Sequence, residues 1–251
     1  MNKTINRNEI ERYSRQIILK DIGIVGQKKI INSKILVVGG GGLGCPVIDI
    51  LTRSGAKNIT IADYDKVSLS NLHRQTMFDT SDIGKFKVDV IKKKIKKINP
   101  SSKIKIIKKR ITNLNLSKII NKFDILVDGS DNFKTKFLLN DYGIKYNKIL
   151  VSAAISKFDG HVFSFNFQNN KVPCLRCFYQ NEPPGDILNC ETEGILGTTA
   201  SILGSIQANE VLRKILNLKN NLDGSILIIN LLKLNFRKVT FSKKKNCICS
   251  K

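Results

Sequence analysis

A chain of 251 residues, 41% hydrophobic and 25% charged, is long enough to bury a sizeable core and too apolar for general disorder. No apolar run nears the ~20 residues that span a bilayer, and Met1–Arg7 lacks the apolar core of a secretory leader, so a cytoplasmic protein with no membrane partner is expected. The net charge of +23 is lysine spread along segments such as Lys92–Lys97, without a recognition helix or aromatic platform, so nucleic acid is not the expected partner.

Residues 5–31 read as helices, because Glu9–Leu19 places apolar side chains at near-helical spacing. Ile35–Val38 is an uncharged, β-branched strand, followed by a helix near 43–54 and the strand Ile59–Ala62. A helix over 85–98 stops at Asn99-Pro100, where proline disfavours helical geometry in its predecessor. Strands at Ile104–Ile107, Ile125–Val127 and Ile149–Ser152 alternate with helices at Leu116–Asn121 and 133–146. Such alternation predicts an α/β, Rossmann-like fold with a mostly parallel sheet covered on both faces. Past residue 153 the pattern changes. His161–Phe167 alternates as a half-exposed strand does, and a long loop then carries Cys174, Cys177 and Cys190. A helix at 198–216 and strands at Ile226–Asn230 and Leu234–Phe241 complete a mixed, antiparallel C-terminal extension. With no linker or repeat, one domain over 1–251 is expected, its nucleotide-binding part about 32–152 and a second part about 153–251.

Gly39, Gly41 and Gly44 stand at GxGxxG spacing directly after the first strand. Glycine there lets the backbone turn sharply and approach phosphate oxygens, which the amides of the next helix bind. Asp63, at the end of the second strand, suits ribose hydroxyls and opposes a 2′-phosphate; a solvated strand-end aspartate is the lesser alternative, and a dehydrogenase site fits that much equally well. Splitting ATP demands more, namely cations to neutralise a departing pyrophosphate, and a metal. Arg74 and Lys87 offer the cations and Asp131 offers carboxylate oxygens for Mg²⁺, although a lysine in so lysine-rich a chain also reads as plain surface.

Arg12-Tyr13-Ser14-Arg15-Gln16-Ile17, Gly39–Gly44, Asp63-Tyr64-Asp65, Ser70–Gln75, Lys87 and Asp131-Asn132 together resemble the ThiF/MoeB/HesA family, bacterial relatives of ubiquitin-activating enzymes. The resemblance runs from about residue 7 to the C-terminus. It implies an adenylyltransferase that uses ATP to activate the C-terminal Gly-Gly carboxylate of a ubiquitin-fold sulfur-carrier protein, MoaD-like or ThiS-like, for molybdopterin or thiamine biosynthesis. By the same resemblance Gly39, Gly41, Gly42 and Gly44 cradle the nucleotide and Asp63 holds the ribose. Asn71, Arg74 and Lys87 meet the phosphates, Asp131 meets Mg²⁺, and Asp65, Ser70 and Asn132 belong to the same ATP site. Arg15 reaches into the neighbouring subunit of a homodimer, and the part from about 153 onward binds the carrier. Two other readings stand beside it: a tRNA threonylcarbamoyladenosine dehydratase-like enzyme of the same superfamily, which the basic charge suits, and an NAD-binding module, which leaves Arg15, Arg74, Lys87 and Asp131 unexplained. Gly40 departs from the family, which carries a larger residue there; the extra glycine loosens the unbound loop by about 0.5–1 kcal/mol relative to alanine.

Six cysteines are too few for a disulfide framework at this length. Cys174-Leu175-Arg176-Cys177 is a CxxC, whose spacing lets two thiolates grip one metal. With Cys247 and Cys249 it resembles the family's structural Cys₄ zinc site, though the second pair is CxC where the family has CxxC; free thiols are the alternative. Cys190 matches a family cysteine able to link covalently to the carrier, the alternative being an inert loop thiol. Cys45 reads as a packing residue. The chain ends soon after the second pair, without the rhodanese domain of some relatives, so sulfur is expected from a separate donor protein.

Overall fold

The computed structural model describes residues 5–179, 194–219 and 222–250. Three short helices, α1 (Arg7–Arg12), α2 (Ser14–Ile17) and α3 (Gly23–Asn32), lead into β1 (Lys34–Val38), α4 (Gly44–Arg53) and β2 (Asn58–Ala62). There follow α5 (Lys87–Ile98), β3 (Lys105–Ile107), α6 (Asn113–Ile119), β4 (Ile125–Asp128), α7 (Phe133–Lys145) and β5 (Ile149–Ser156). The described chain closes with β6 (Asp159–Asn166), α8 (Leu175–Phe178), α9 (Gly197–Leu216), β7 (Ser225–Asn230) and β8 (Asn235–Thr240). These elements fall where the sequence pattern puts them, with shifts of a few residues at their ends, except α8, a single helical turn inside the stretch expected to be loop.

The strands make a single sheet in the order β3-β2-β1-β4-β5-β6-β7-β8. β1 to β5 run parallel, and β6, β7 and β8 antiparallel. The chain winds outward from β1 through β2 and β3, then crosses back to β4. That reversal opens a crevice beyond the carboxyl ends of β1 and β4, where doubly wound sheets bind ligands.

Period-two alternation assigns neighbouring residues of β1 and β2 to opposite layers. Ile35, Val37, Ile59 and Ile61 pack with Ile48, Leu51, Ile91, Leu203 and Val211 under α4, α5 and α9. Leu36, Leu126, Leu150 and Phe165 pack with Leu116, Phe137 and Leu175 on the other face. Each such side chain contributes ~1.5–3 kcal/mol on burial. The expectation of a half-exposed β6 is overturned: Val162 belongs to the first layer, Phe163 and Phe165 to the second, and the small polar Ser164 between them is fully buried. Its alternation separates two interiors, because α9 covers the face that polarity assigns to water. Among the described residues, no helix is long and apolar enough to cross a membrane.

Candidate functional site

The cleft at the β1–β4 reversal is lined by Gly39, Gly41, Gly42, Asp63, Tyr64, Asp65, Arg74, Gln75, Lys87, Lys109, Arg110, Gly129, Ser130, Asp131, Asn132 and Lys136, together with the buried Ala154 and Ile155 of β5. Its floor is backbone packed on backbone. Gly39 has φ +97°, and a Cβ there would lie 2.6 Å from Gly129 O; a Cβ on Gly44 would lie 2.0 Å from Gly39 O. Both positions therefore require glycine. Gly44→Ala is expected to cost about 3 kcal/mol or more and to abolish nucleotide binding, because only backbone lies in its way; thermal melting with and without ATP checks this, and near-native behaviour contradicts it. At Gly40 the obstruction would be Ile91 Cδ1 at 2.8 Å, the movable end of a side chain.

Asp63 closes β2 with its carboxylate already engaged: Gly40 N donates to Oδ2 at 2.7 Å and Asp65 N to Oδ1 at 2.8 Å. These bonds aim the side chain across the glycine loop. Burial pushes its carboxyl above the ordinary range, against the opposing pull of Lys87 and of the Asp65 and Gly40 amides. A raised folded-state pKa means the native state binds the proton more tightly than the unfolded chain does. Its contribution to stability is thus full below the ordinary carboxylate pKa and lost as pH rises through the folded value. Asp63→Asn should flatten that acidic segment of the melting-temperature profile; an unchanged profile contradicts it.

The cations come from two places. Lys87 opens α5, is 6% exposed, and donates to Asp65 Oδ2 at 3.1 Å. Arg74 follows the turn Leu69–Asn71 and donates through Nη1 to Ser70 O at 2.8 Å, beside His73 Nε2 at 2.7 Å. Across the cleft Asp131 and Asn132 form the step between β4 and α7; Asn132 accepts from Thr135 N at 2.9 Å and caps that helix, and its Nδ2 donates to Asp131 Oδ1 at 3.2 Å. Arg110 stacks on Tyr64 at 4.8 Å and donates to its hydroxyl.

The sequence thus brought Gly39, Gly41, Gly42, Asp63, Asp65, Arg74, Lys87, Asp131 and Asn132 to one cleft. Gly44 supports it from behind. Asn71 is buried in the turn before Arg74, and Ser70 pairs with Ser68 at 3.1 Å; neither lines the cleft. Arg15 is exposed on α2 away from it, and Cys190 lies outside the described residues. Tyr64, Gln75, Lys109, Arg110 and Lys136 line the cleft unannounced; only Tyr64 and Gln75 fell inside motifs.

A second cluster lies on the far layer. The Sγ atoms of Cys174, Cys177, Cys247 and Cys249 all fall within 4.8 Å of one another. Cys174 and Cys247 approach to 3.4 Å, Cys177 and Cys249 to 3.5 Å. Tetrahedral zinc with Zn–S of ~2.3 Å needs sulfurs ~3.8 Å apart, so four thiolates here fit the metal, and the shortened CxC still reaches. Burial pushes the Cys249 thiol up to about 11, so metal binding must displace protons.

A ThiF family model matches residues 13–251. The chain is 36% identical over 245 residues to a sulfur carrier protein adenylyltransferase of Thermus thermophilus, covering 96% of this chain and 90% of that protein. It is 39% identical over 252 residues to the adenylyltransferase and sulfurtransferase MOCS3 of Drosophila virilis, covering 98% of this chain and 55% of that one. A crystal structure of E. coli MccB with ATP superimposes at TM-score 0.82 and 22% identity, over 95% of this chain and 74% of that chain, which shows the fold alone.

Proposed function

The chain belongs to the ThiF family, and from that premise we propose that it adenylylates the C-terminal carboxylate of a ubiquitin-fold sulfur-carrier protein, using ATP. One observation carries this beyond nucleotide binding: Arg74 and Lys87 border the same cleft as the ribose-type carboxylate Asp63 and the exposed carboxylate Asp131. A dinucleotide needs no such density of charge, whereas a departing pyrophosphate does.

In the proposed reaction a carboxylate oxygen of the carrier attacks the α-phosphorus of ATP. The bond from that phosphorus to the α,β-bridging oxygen breaks, and its electron pair leaves with pyrophosphate. The nucleophile arrives ionised, so no general base is required, and catalysis reduces to positioning and charge neutralisation. Asp63 orients the ribose. Gly39–Gly42 bring backbone against the phosphates, and Arg74 and Lys87 bring side-chain cations, with Lys87 Nζ leaving Asp65 to do so. Asp131, an oxygen donor lining the cleft, suits a hard cation, and Mg²⁺ held there would supply neutralisation of the leaving group. Asn71 and Ser70 support this phosphate side through the turn that carries Arg74, and Arg15 of a second copy completes it in a homodimer. The Cys₄ cluster holds a structural zinc.

ATP–pyrophosphate exchange with purified MoaD-like and then ThiS-like carrier tests the proposal. Exchange that depends on one carrier supports it and names the carrier; exchange with neither overturns it.

A further inference from the structure

Beneath the cleft lies an ion pair that nothing above employs. Asp128 ends β4 and is 0% exposed; Lys136, in α7, is 2% exposed and places Nζ 3.0 Å from Asp128 Oδ2. Every oxygen of Asp128 is engaged. Oδ1 accepts from Ser130 N at 3.0 Å and Ser130 Oγ at 2.5 Å, and Oδ2 also accepts from Ser152 Oγ at 2.5 Å. Its main-chain oxygen accepts from Gln207 Nε2, which reaches in from α9 and donates to Val151 O as well. Lys136 donates a second bond to Ala153 O at 2.6 Å and itself lines the cleft.

Taking two charges out of water costs more than an apolar pair of the same size, so stability alone does not explain this one. Its geometry does. The pair ties β4, β5, α7 and the Gly129–Ser130 turn to a single point, and Asp131 is the next residue of that turn. The same turn carries Gly129, whose backbone meets Gly39 and Gly44. We propose that Asp128 and Lys136 are positioning residues, fixing the Ser130–Asn132 turn so that Asp131 faces the metal-bound phosphates. This rests on the adenylyl-transfer reading above.

Three variants test it: Lys136→Met, Lys136→Arg, and the double variant Asp128→Asn/Lys136→Met, whose neutral side chains fill the same space. Two measurements are made on each: the gain in ATP affinity on adding Mg²⁺, by calorimetry, and kcat and KM for ATP in carrier-dependent exchange. Lys136→Met alone strands a buried carboxylate and melts early, which makes the double variant decisive. It is expected to melt near the native temperature, to lose about tenfold of the magnesium-dependent gain, and to lose about 10²-fold in kcat while KM for ATP rises by no more than about that tenfold. Lys136→Arg, which restores the charge and both acceptors, should recover about tenfold or more of the kcat lost by the double variant. A double variant with native kcat and native magnesium gain overturns the proposal, as does an arginine variant no better than it. If the native chain shows no exchange with either carrier, the adenylyl-transfer reading falls, while the magnesium gain still decides whether the pair positions Asp131.

Discussion

Carrier-dependent ATP–pyrophosphate exchange is expected to fall about 10²–10³-fold when Asp131 is replaced by alanine, with no change in melting temperature. The two halves of that expectation have separate causes. Asp131 is exposed in a turn, and its carboxylate takes one long bond from the adjacent Asn132 amide, so its loss strands nothing in the interior. Its proposed work begins only when metal and triphosphate arrive. Native exchange in Asp131→Ala would remove the metal role. Lys87→Ala should lower exchange by a similar factor, and in this case stability falls as well, by about 1 kcal/mol, because Lys87 is buried and bonded to Asp65. A loss of exchange with native melting at both positions would show that Lys87 is held less firmly than its burial implies.

Stripping metal from the Cys₄ cluster is expected to lower the melting temperature by about 10 °C. The cluster joins Cys174 to Cys247 across 73 positions, and a cross-link closing a loop of that size contributes about 4 kcal/mol in the chain-entropy account. At this chain length that corresponds to about 2–4 °C per kcal/mol. The thiols sit in the second apolar layer with Phe163, Phe165 and Leu175, so the tail over 241–250 should detach with the metal while the nucleotide end stays folded. Elemental analysis of purified protein should find about one zinc per chain. Cys249→Ser, which leaves three thiolates, should fall between the native and stripped forms. Metal-free protein that melts at the native temperature would reduce the cluster to free thiols.

The parts of this molecule that were legible share a trait: their chemistry is set by backbone or by residue type at fixed spacing. Gly39 and Gly44 announce a loop because no side chain fits where they stand. Asp63 announces itself as a carboxylate ending an apolar strand. Other parts depend on tertiary neighbours. β6 looked half-exposed because Ser164 and Asn166 are polar, and only the placement of α9 buries that face. Lys136 carries no motif that sets it apart from the other lysines of the chain. A signal was nevertheless present, since Phe133, Lys136, Phe137 and Asn140 form the i, i+3, i+4, i+7 stripe that α7 turns inward. A charge on such a stripe must find a partner, and Asp128 is that partner. Tyr64 and Arg110 lie on connections with no periodicity, so nothing in their local sequence foretells that they meet.

The close seating of Gly39, Gly44 and Gly129 bears on how such a protein diversifies. A floor made only of main chain has no side chain to exchange, so mutation at those points removes the pocket instead of reshaping it. New preferences for base or acceptor must be written on the exposed walls, at Tyr64, Lys109 and Arg110, where substitution costs the fold little.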